Sequence, residues 1–368
     1  MRSSLLRLWL LRRILSFPSA LIRFFAGGGM VYSGGQTLDP QIQFLWRTWF
    51  APAESSGRMP LTLDDKSLDQ AREEWHDIAG FLGAPGPAKV RIETIGDGAT
   101  SAPGSVGGLL IKPLDIAIDA PVLVFFPQGG GVLGGPELSR AFCSLFAVEA
   151  RGPVFIPTLR LAPEARFPAA LDDARQALDW SFENAARLGA PSGAVTVGGA
   201  LTGAALAARL CLERRRDSAP LPQGMLLLTP LLDLSDTNIA ASPHAQLWPL
   251  SAADLGLIIS YYAGAGVDLA DPGPSPAKEA SLAGLPPTFV VSAGLDPLAS
   301  QGEAFARRII ASGGAAVYRR YDTLPLGFDL FAGVVDTAGA ATANIARTWI
   351  DSLRPVDEDD DTALRDIA

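Results

Sequence analysis

An α/β architecture around a mostly parallel, buried sheet is predicted by three observations on this 368-residue sequence. Short runs of continuous apolar residues recur along it, as strands covered on both faces require. Longer stretches with helical spacing separate them from the third run onward, which is the rhythm of parallel strands joined by crossover helices. With 48% apolar and 19% charged residues, the chain can bury one large core.

Taken in order, "MRSSLLRLWLLRRILSFPSALIRFFAGGG" comes first, with Arg2, Arg7, Arg12, Arg13 and Arg23 among large apolar residues and no acidic residue before Asp39. The arginines recur too often for a spanning helix and break the apolar stretch that a signal peptide needs. Such a basic amphipathic segment can pack one face on the protein's own body or lie on an anionic membrane surface, and Pro18 interrupts its helix. Eight strands are then expected, at "KVRIETI", "GGLLIK", "PVLVFF", "PVFIP", "AVTVGG", "GMLLLTP", "TFVVSAG" and "AAVYRRY". Ligands of such sheets bind beyond the carboxyl ends of the strands, so the turns there are where chemistry is sought. The chain closes on "PVDEDDDTALRDIA", read as a solvated, disordered acidic tail.

Charge and composition exclude several classes. A net charge of −9 without a basic aromatic stripe argues against nucleic acid as a partner. Cys143 and Cys211 lie far apart in apolar helical patterns, which reads as buried free thiols in a reducing compartment and points to the cytoplasm, with membrane association left open. With His76 and His244 as the two histidines, none at ligand spacing, neither a metal site nor a cofactor is expected.

Four segments carry a family resemblance: "FFPQGGGVLGG", "RLAPEARFPAALDDA", "GGALTGA" and "GLPPTFVVSAGLDPLASQGEAFARRI". From about Val122 to Trp349 the chain resembles the hormone-sensitive lipase group of α/β hydrolases, with a weaker trace at "GGQTLDPQIQFL". The resemblance implies an α/β-hydrolase fold with a mostly parallel central sheet of about eight strands, helices on both faces and a helical cap. It divides the chain into a basic segment (1–38), a helical cap part (39–80), a hydrolase domain (81–354) with a cap insertion at about 231–280, and the tail (355–368). The activity implied is hydrolysis of carboxylic esters by a serine, a histidine and a carboxylate.

Aligned without gaps, "VGGALTGA" keeps Gly199 and Gly203 but sets Leu201 where the family has its serine, and "YDTLPLGF" sets Leu326 at the histidine. Asp296 stands at the third position. In the oxyanion turn, Pro127 and Gln128 replace the family's first residues, while Gly129, Gly130 and the backbone of Thr202 could still donate. Losing nucleophile and base together costs on the order of 10⁶ in kcat. The expectation is therefore a catalytically inactive homologue whose capped pocket binds a small apolar or acyl ligand, or a partner, without turnover. Replacing both members of a buried Ser–His pair by apolar groups avoids the cost of about 1–3 kcal/mol of orphaning one of them, so Leu201 and Leu326 are expected to form an apolar plug. Asp296, left without an imidazole, is expected to be partly buried and held by backbone N–H groups, a nearby hydroxyl or water, with a raised pKa unless those donors are good.

Two alternatives stand beside this reading. One is a working ester hydrolase using groups not recognised in the sequence, and the other is a membrane-surface protein acting through residues 1–28. Thr202 is read as a turn residue, His244 as a surface histidine, and "SPAK" (Ser275 to Lys278) as a chance match to an acyl-serine pattern. Arg160, Glu164, Asp172 and Asp173 are read as structural ion pairs behind the fourth strand, where Leu159 replaces a tyrosine. Oligomeric state is not legible in the sequence.

Overall fold

In the computed structural model, residues 10–27, 29–50, 63, 67–82, 89–96 and 105–353 are described. The acidic tail and Arg2 and Arg7 fall outside them. Residues 10–15 are helical, and α1 (Ser19–Ala26) follows the break at Pro18, which stands just before α1 where a missing N–H costs nothing. A short hairpin, β1 (Tyr32–Ser33) and β2 (Gln36–Thr37), leads into α2 (Pro40–Phe44). Asp39 caps α2, its carboxylate accepting the N–H groups of Gln41 and Ile42. The amphipathic helix α3 (Leu68–Leu82) buries Ala71, Trp75, Ala79 and Leu82, four positions spaced by three or four residues.

The central sheet has eight strands: β3 (Val90–Ile95), β4 (Gly108–Pro113), β5 (Val122–Phe126), β6 (Val154–Pro157), β7 (Val195–Ala200), β8 (Met225–Leu228), β9 (Thr288–Leu295) and β10 (Ala316–Pro325). Their order is β10-β9-β8-β7-β5-β6-β4-β3. Pairing is parallel from β10 to β6 and antiparallel at β6–β4 and β4–β3. Every residue of β5, β7, β8 and β9 is buried, which is why these strands read as unbroken apolar runs, whereas the edge strand β3 exposes four residues in succession.

Helices flank the sheet: α4 (Arg140–Ala150), α5 (Ala169–Leu188), α6 (Thr202–Arg216), α8 (Ala299–Ala311) and α9 (Asp336–Ser352). Helix α4 packs on α9, and α5 on α6. Between β8 and β9 the chain leaves the sheet and forms α7 (Ala252–Ala263). Ser251 and Asp254 close a reciprocal capping box at its start. All eight strands thus form where their apolar runs place them, and the α/β-hydrolase topology follows from their order.

Candidate active site

The turn from β7 to α6 lies at the carboxyl edge of the sheet. Leu201 sits at its apex with φ 56° and ψ −120°, a conformation that ordinary side chains seldom adopt. Its geometry is imposed from both sides. A Cβ on Gly199 would stand 2.4 Å from the Gly203 backbone, and one on Gly203 would stand 2.3 Å from the Phe126 carbonyl oxygen. Three hydrogen bonds fasten the apex: the Leu201 N–H donates to the Leu228 carbonyl, and the Leu201 carbonyl accepts from the N–H groups of Leu231 and Ala204. Leu201 is buried, and so is Thr202, the first residue of α6.

Facing this turn, the loop after β5 runs Pro127, Gln128, Gly129, Gly130, Gly131, and the three glycines all have positive φ. Gln128 is buried; its N–H donates to Ser139 Oγ at 3.1 Å and its Nε2 to the Leu138 carbonyl at 3.2 Å. Helix α7 lies directly over this loop: a Cβ on Gly130 would come within 2.3 Å of Ile258 Cγ2, and one on Gly131 within 3.0 Å of the Tyr262 ring. Among the described residues, the N–H groups of Gly129, Gly130 and Thr202 have no acceptor.

Strand pairing brings the other two residues together. Leu326 follows the last residue of β10, and its N–H lies 3.4 Å from the carbonyl of Leu295, the neighbour of Asp296. Leu326 is buried, as is Asp296. The Leu298 N–H donates to Asp296 Oδ1 at 2.7 Å, while Oδ2 has no partner among the described residues. Burial, only partly offset by backbone donors, pushes this carboxyl up to about 7.

Sequence reasoning missed a second such group. Asp329, in the turn Phe328–Phe331, is wholly buried with both oxygens unpartnered among the described residues, and burial pushes its carboxyl to about 7 as well. Burial, with the Asp329 charge adding to it, pushes the Cys143 thiol of α4 well above its ordinary range. An acid within "GFDLF", a run otherwise fit for the core, was the available signal.

The remaining candidates are dispersed. Arg160 meets Asp173 at 2.8 Å, and its backbone N–H donates to the same carboxylate, which ties the loop after β6 to α5. Glu164 instead pairs with Arg72 of α3, at 2.8 Å through each carboxylate oxygen, and Asp172 pairs with Arg175 at 2.7 Å. Ser275 and Lys278 are fasteners: Ser275 Oγ accepts the Leu234 N–H and donates to the Leu269 carbonyl, and Lys278 pairs with Asp233. His244 differs from the surface histidine expected. It is buried, with Nδ1 2.8 Å from Ser33 Oγ of the β1–β2 hairpin, and burial lowers its pKa. A contact across 211 residues leaves no trace in local sequence.

An open cleft of about 800 Å³ lies beside the same β5 loop, lined by Arg72, His76, Leu133, Glu137, Leu159 and Arg160. Within it, His76 Nδ1 stands 3.7 Å from Glu137 Oε1. Leu201 and Leu326 do not line it.

The strand order, the strained turn after β7 and the donor loop after β5 are those of an α/β hydrolase, and the chain belongs to that fold family, whose pattern matches residues 123–330. Its relatives include the carboxylic ester hydrolase LipN of Mycobacterium tuberculosis, 30% identical over 344 residues, covering 90% of this chain and 89% of that one. The carboxylesterase NlhH of the same organism is 32% identical over 69% of this chain and 80% of its own. Among solved structures, an α/β hydrolase from the metagenome of Lake Arreo matches with a TM-score of 0.74 and 28% identity, over 82% of this chain and 95% of that one. An esterase of Pyrobaculum calidifontis matches with a TM-score of 0.71 and 28% identity, over 78% and 94%.

These relatives correct the expectation of an inactive, non-enzymatic homologue. Proteins similar to this chain over 69% to 90% of its length are named as ester hydrolases or esterases, so the similarity points to an enzyme. The reading of Leu201 and Leu326 gave two side chains more weight than the donor loop, the strained turn and a buried carboxyl that burial itself brings near neutral pH.

Proposed function

We propose that this protein is a carboxylic ester hydrolase of the hormone-sensitive lipase-like group. The observation that carries the reading is the turn at Leu201, held in its strained conformation opposite the Gly129–Gly130 donors, in a chain similar throughout to ester hydrolases. In this reading Leu201 and Leu326 occupy the positions at which the group carries serine and histidine, and residues 231–280, with the described parts of residues 39–80, form the cap.

With no hydroxyl at the apex, the attacking group is water. The N–H groups of Gly129, Gly130 and Thr202 take the developing oxyanion. Asp296 takes a proton of the water as the water oxygen adds to the ester carbonyl, and returns that proton to the alcohol oxygen as the ester C–O bond breaks and the oxyanion collapses to the acid. A base works best with a pKa near the working pH, and burial puts Asp296 at about 7. In this reading the acyl chain lies against Leu133 and Leu159 in the cleft beside the β5 loop. Such a site retains roughly 10³–10⁴ of rate enhancement over water, well below that of a full triad. The two buried free thiols, Cys143 and Cys211, fit a reducing compartment, and the cytoplasm is the location this reading proposes.

Hydrolysis of p-nitrophenyl butyrate tests this. Turnover should rise with pH through about 7 as Asp296 ionises, and Asp296→Asn should abolish that rise. Rates equal to buffer at every pH would overturn the assignment. Labelling of a defined serine by a fluorophosphonate would move the chemistry from Asp296 to that serine.

A further inference from the structure

The two helical pieces at the N-terminus divide their faces between two environments. Leu11, Leu15, Ile22 and Ala26 are buried at 0%, 2%, 1% and 5% exposure, so each piece turns one i, i+4 pair toward the protein. Polar anchors fix that docking: Gln41 Nε2 donates to the Leu15 carbonyl at 2.8 Å, and Arg47 Nη1 donates to the carbonyls of Gly27 and Gly29 at 2.9 and 2.8 Å. The body has thus taken its share of the segment's apolar surface. What remains outside is still strongly apolar. Leu10, Phe17, Leu21, Phe24 and Phe25 are exposed at 46%, 42%, 47%, 78% and 50%. The three aromatic rings adjoin one another across the Pro18 break, with centroids 6.4 Å apart for Phe17–Phe25 and 5.8 Å for Phe24–Phe25.

The charge on this face is equally one-sided. Arg12, Arg13 and Arg23 are exposed beside the aromatic cluster, and residues 1–38 hold five arginines and no acidic residue in a chain whose net charge is −9. We infer that this outer face is a docking surface for an anionic lipid bilayer: Phe17, Phe24, Phe25, Leu10 and Leu21 enter the acyl boundary, and the arginines meet the headgroup phosphates. Apolar burial combined with attraction to anionic headgroups is what holds an interfacial helix. A second protein surface would need to match the apolar cluster in shape, whereas a bilayer needs only the two properties this face shows. The acidic remainder of the chain is repelled by the same bilayer, so contact is confined to this face.

Vesicle flotation of the full chain tests the inference. The protein should float with vesicles of phosphatidylcholine and phosphatidylglycerol, much less with phosphatidylcholine alone, and less in high salt. The exposed triple variant Phe17→Ser, Phe24→Ser, Phe25→Ser should lose about tenfold or more in partitioning. Its circular dichroism melt and its hydrolysis of a soluble ester in free solution should stay unchanged. Arg12→Gln, Arg13→Gln, Arg23→Gln, which leaves Arg2 and Arg7, should markedly weaken the preference for anionic vesicles, and an unchanged preference would overturn the role given to these arginines. Failure of the natural chain to float with anionic vesicles, or flotation of the aromatic variant equal to it, would overturn the inference. A concentration-dependent dimer that the aromatic variant abolishes, without flotation, would assign the face to a second copy and overturn it equally.

Discussion

The carboxyl edge of the sheet and the outer face of the N-terminal helices break the same rule in opposite directions. At the sheet edge, Asp296 and Asp329 are carboxyls deprived of water, while on the N-terminal face Phe24 and Phe25 are aromatic rings left in it. Both arrangements cost free energy in the isolated protein. The first is tolerated because burial keeps the carboxyls largely protonated up to about neutral pH; the second is relieved only by something outside the chain. The comparison teaches that the interior exception is a matter of proton affinity, and the exterior one a matter of partner.

The largest effect expected from probing this contrast lies at the interior. Leu201→Ser combined with Leu326→His would set a hydroxyl on the strained apex and an imidazole beside Asp296. Ester turnover should rise by roughly 10³-fold or more over the natural chain, read as kcat/KM on p-nitrophenyl butyrate. Either replacement alone should give little of this gain, because nucleophile and base act as a unit.

A smaller effect sharpens the proton-affinity side. The folded-state pKa of Asp329, about 7, lies above its unfolded value near 4, so the folded protein holds the proton more tightly. The stability this contributes is fully present below about pH 4 and is lost as pH rises through about 7. Asp329→Asn, which cannot ionise, should flatten that loss, and denaturant melts at pH 5 and pH 8 should differ less for the variant than for the natural chain. An unchanged difference would remove Asp329 as its source. Smallest of all is the exposed pair of Arg72 with Glu164. The Arg72 guanidinium holds the Glu164 carboxyl at about 2, but Glu164 is mostly in water, so Glu164→Gln should cost less than about 1 kcal/mol in a urea melt.

The interior strands β5, β6, β8 and β9 were legible because each is close to a continuous apolar run, and the turns after β5, β7 and β10 because their glycines stand almost unchanged in "QGGGV", "GGALTGA" and "LPLGF". Legibility ended where a property depends on distant chain. The buried state of His244 rests on Ser33, the cleft histidine His76 meets Glu137 from another part of the sequence, and Arg72 reaches Glu164 from α3. Asp329 was hidden for a different reason: an acid in an apolar run can be a surface break or a buried exception, and only the packing of the turn Phe328–Phe331 beside α4 decides which. The N-terminal segment was half legible. Its amphipathic pattern gave two possible partners for one apolar surface, and only the placement of Leu11, Leu15, Ile22 and Ala26 shows that the surface is divided.

The contact between Ser33 and His244 gives the early residues a second office. Ser33 Oγ lies 2.7 Å from the Pro243 carbonyl and 2.8 Å from His244 Nδ1, and Gly34 is pressed so close that a Cβ there would meet His244 Cε1 at 2.6 Å. The hairpin therefore works as a latch on the long excursion between β8 and α7. A chain shortened to begin before Ser33 sheds the lipid-facing helices and keeps the latch, whereas one shortened past Gly35 also unfastens the excursion. The two truncations, a few residues apart, are different experiments.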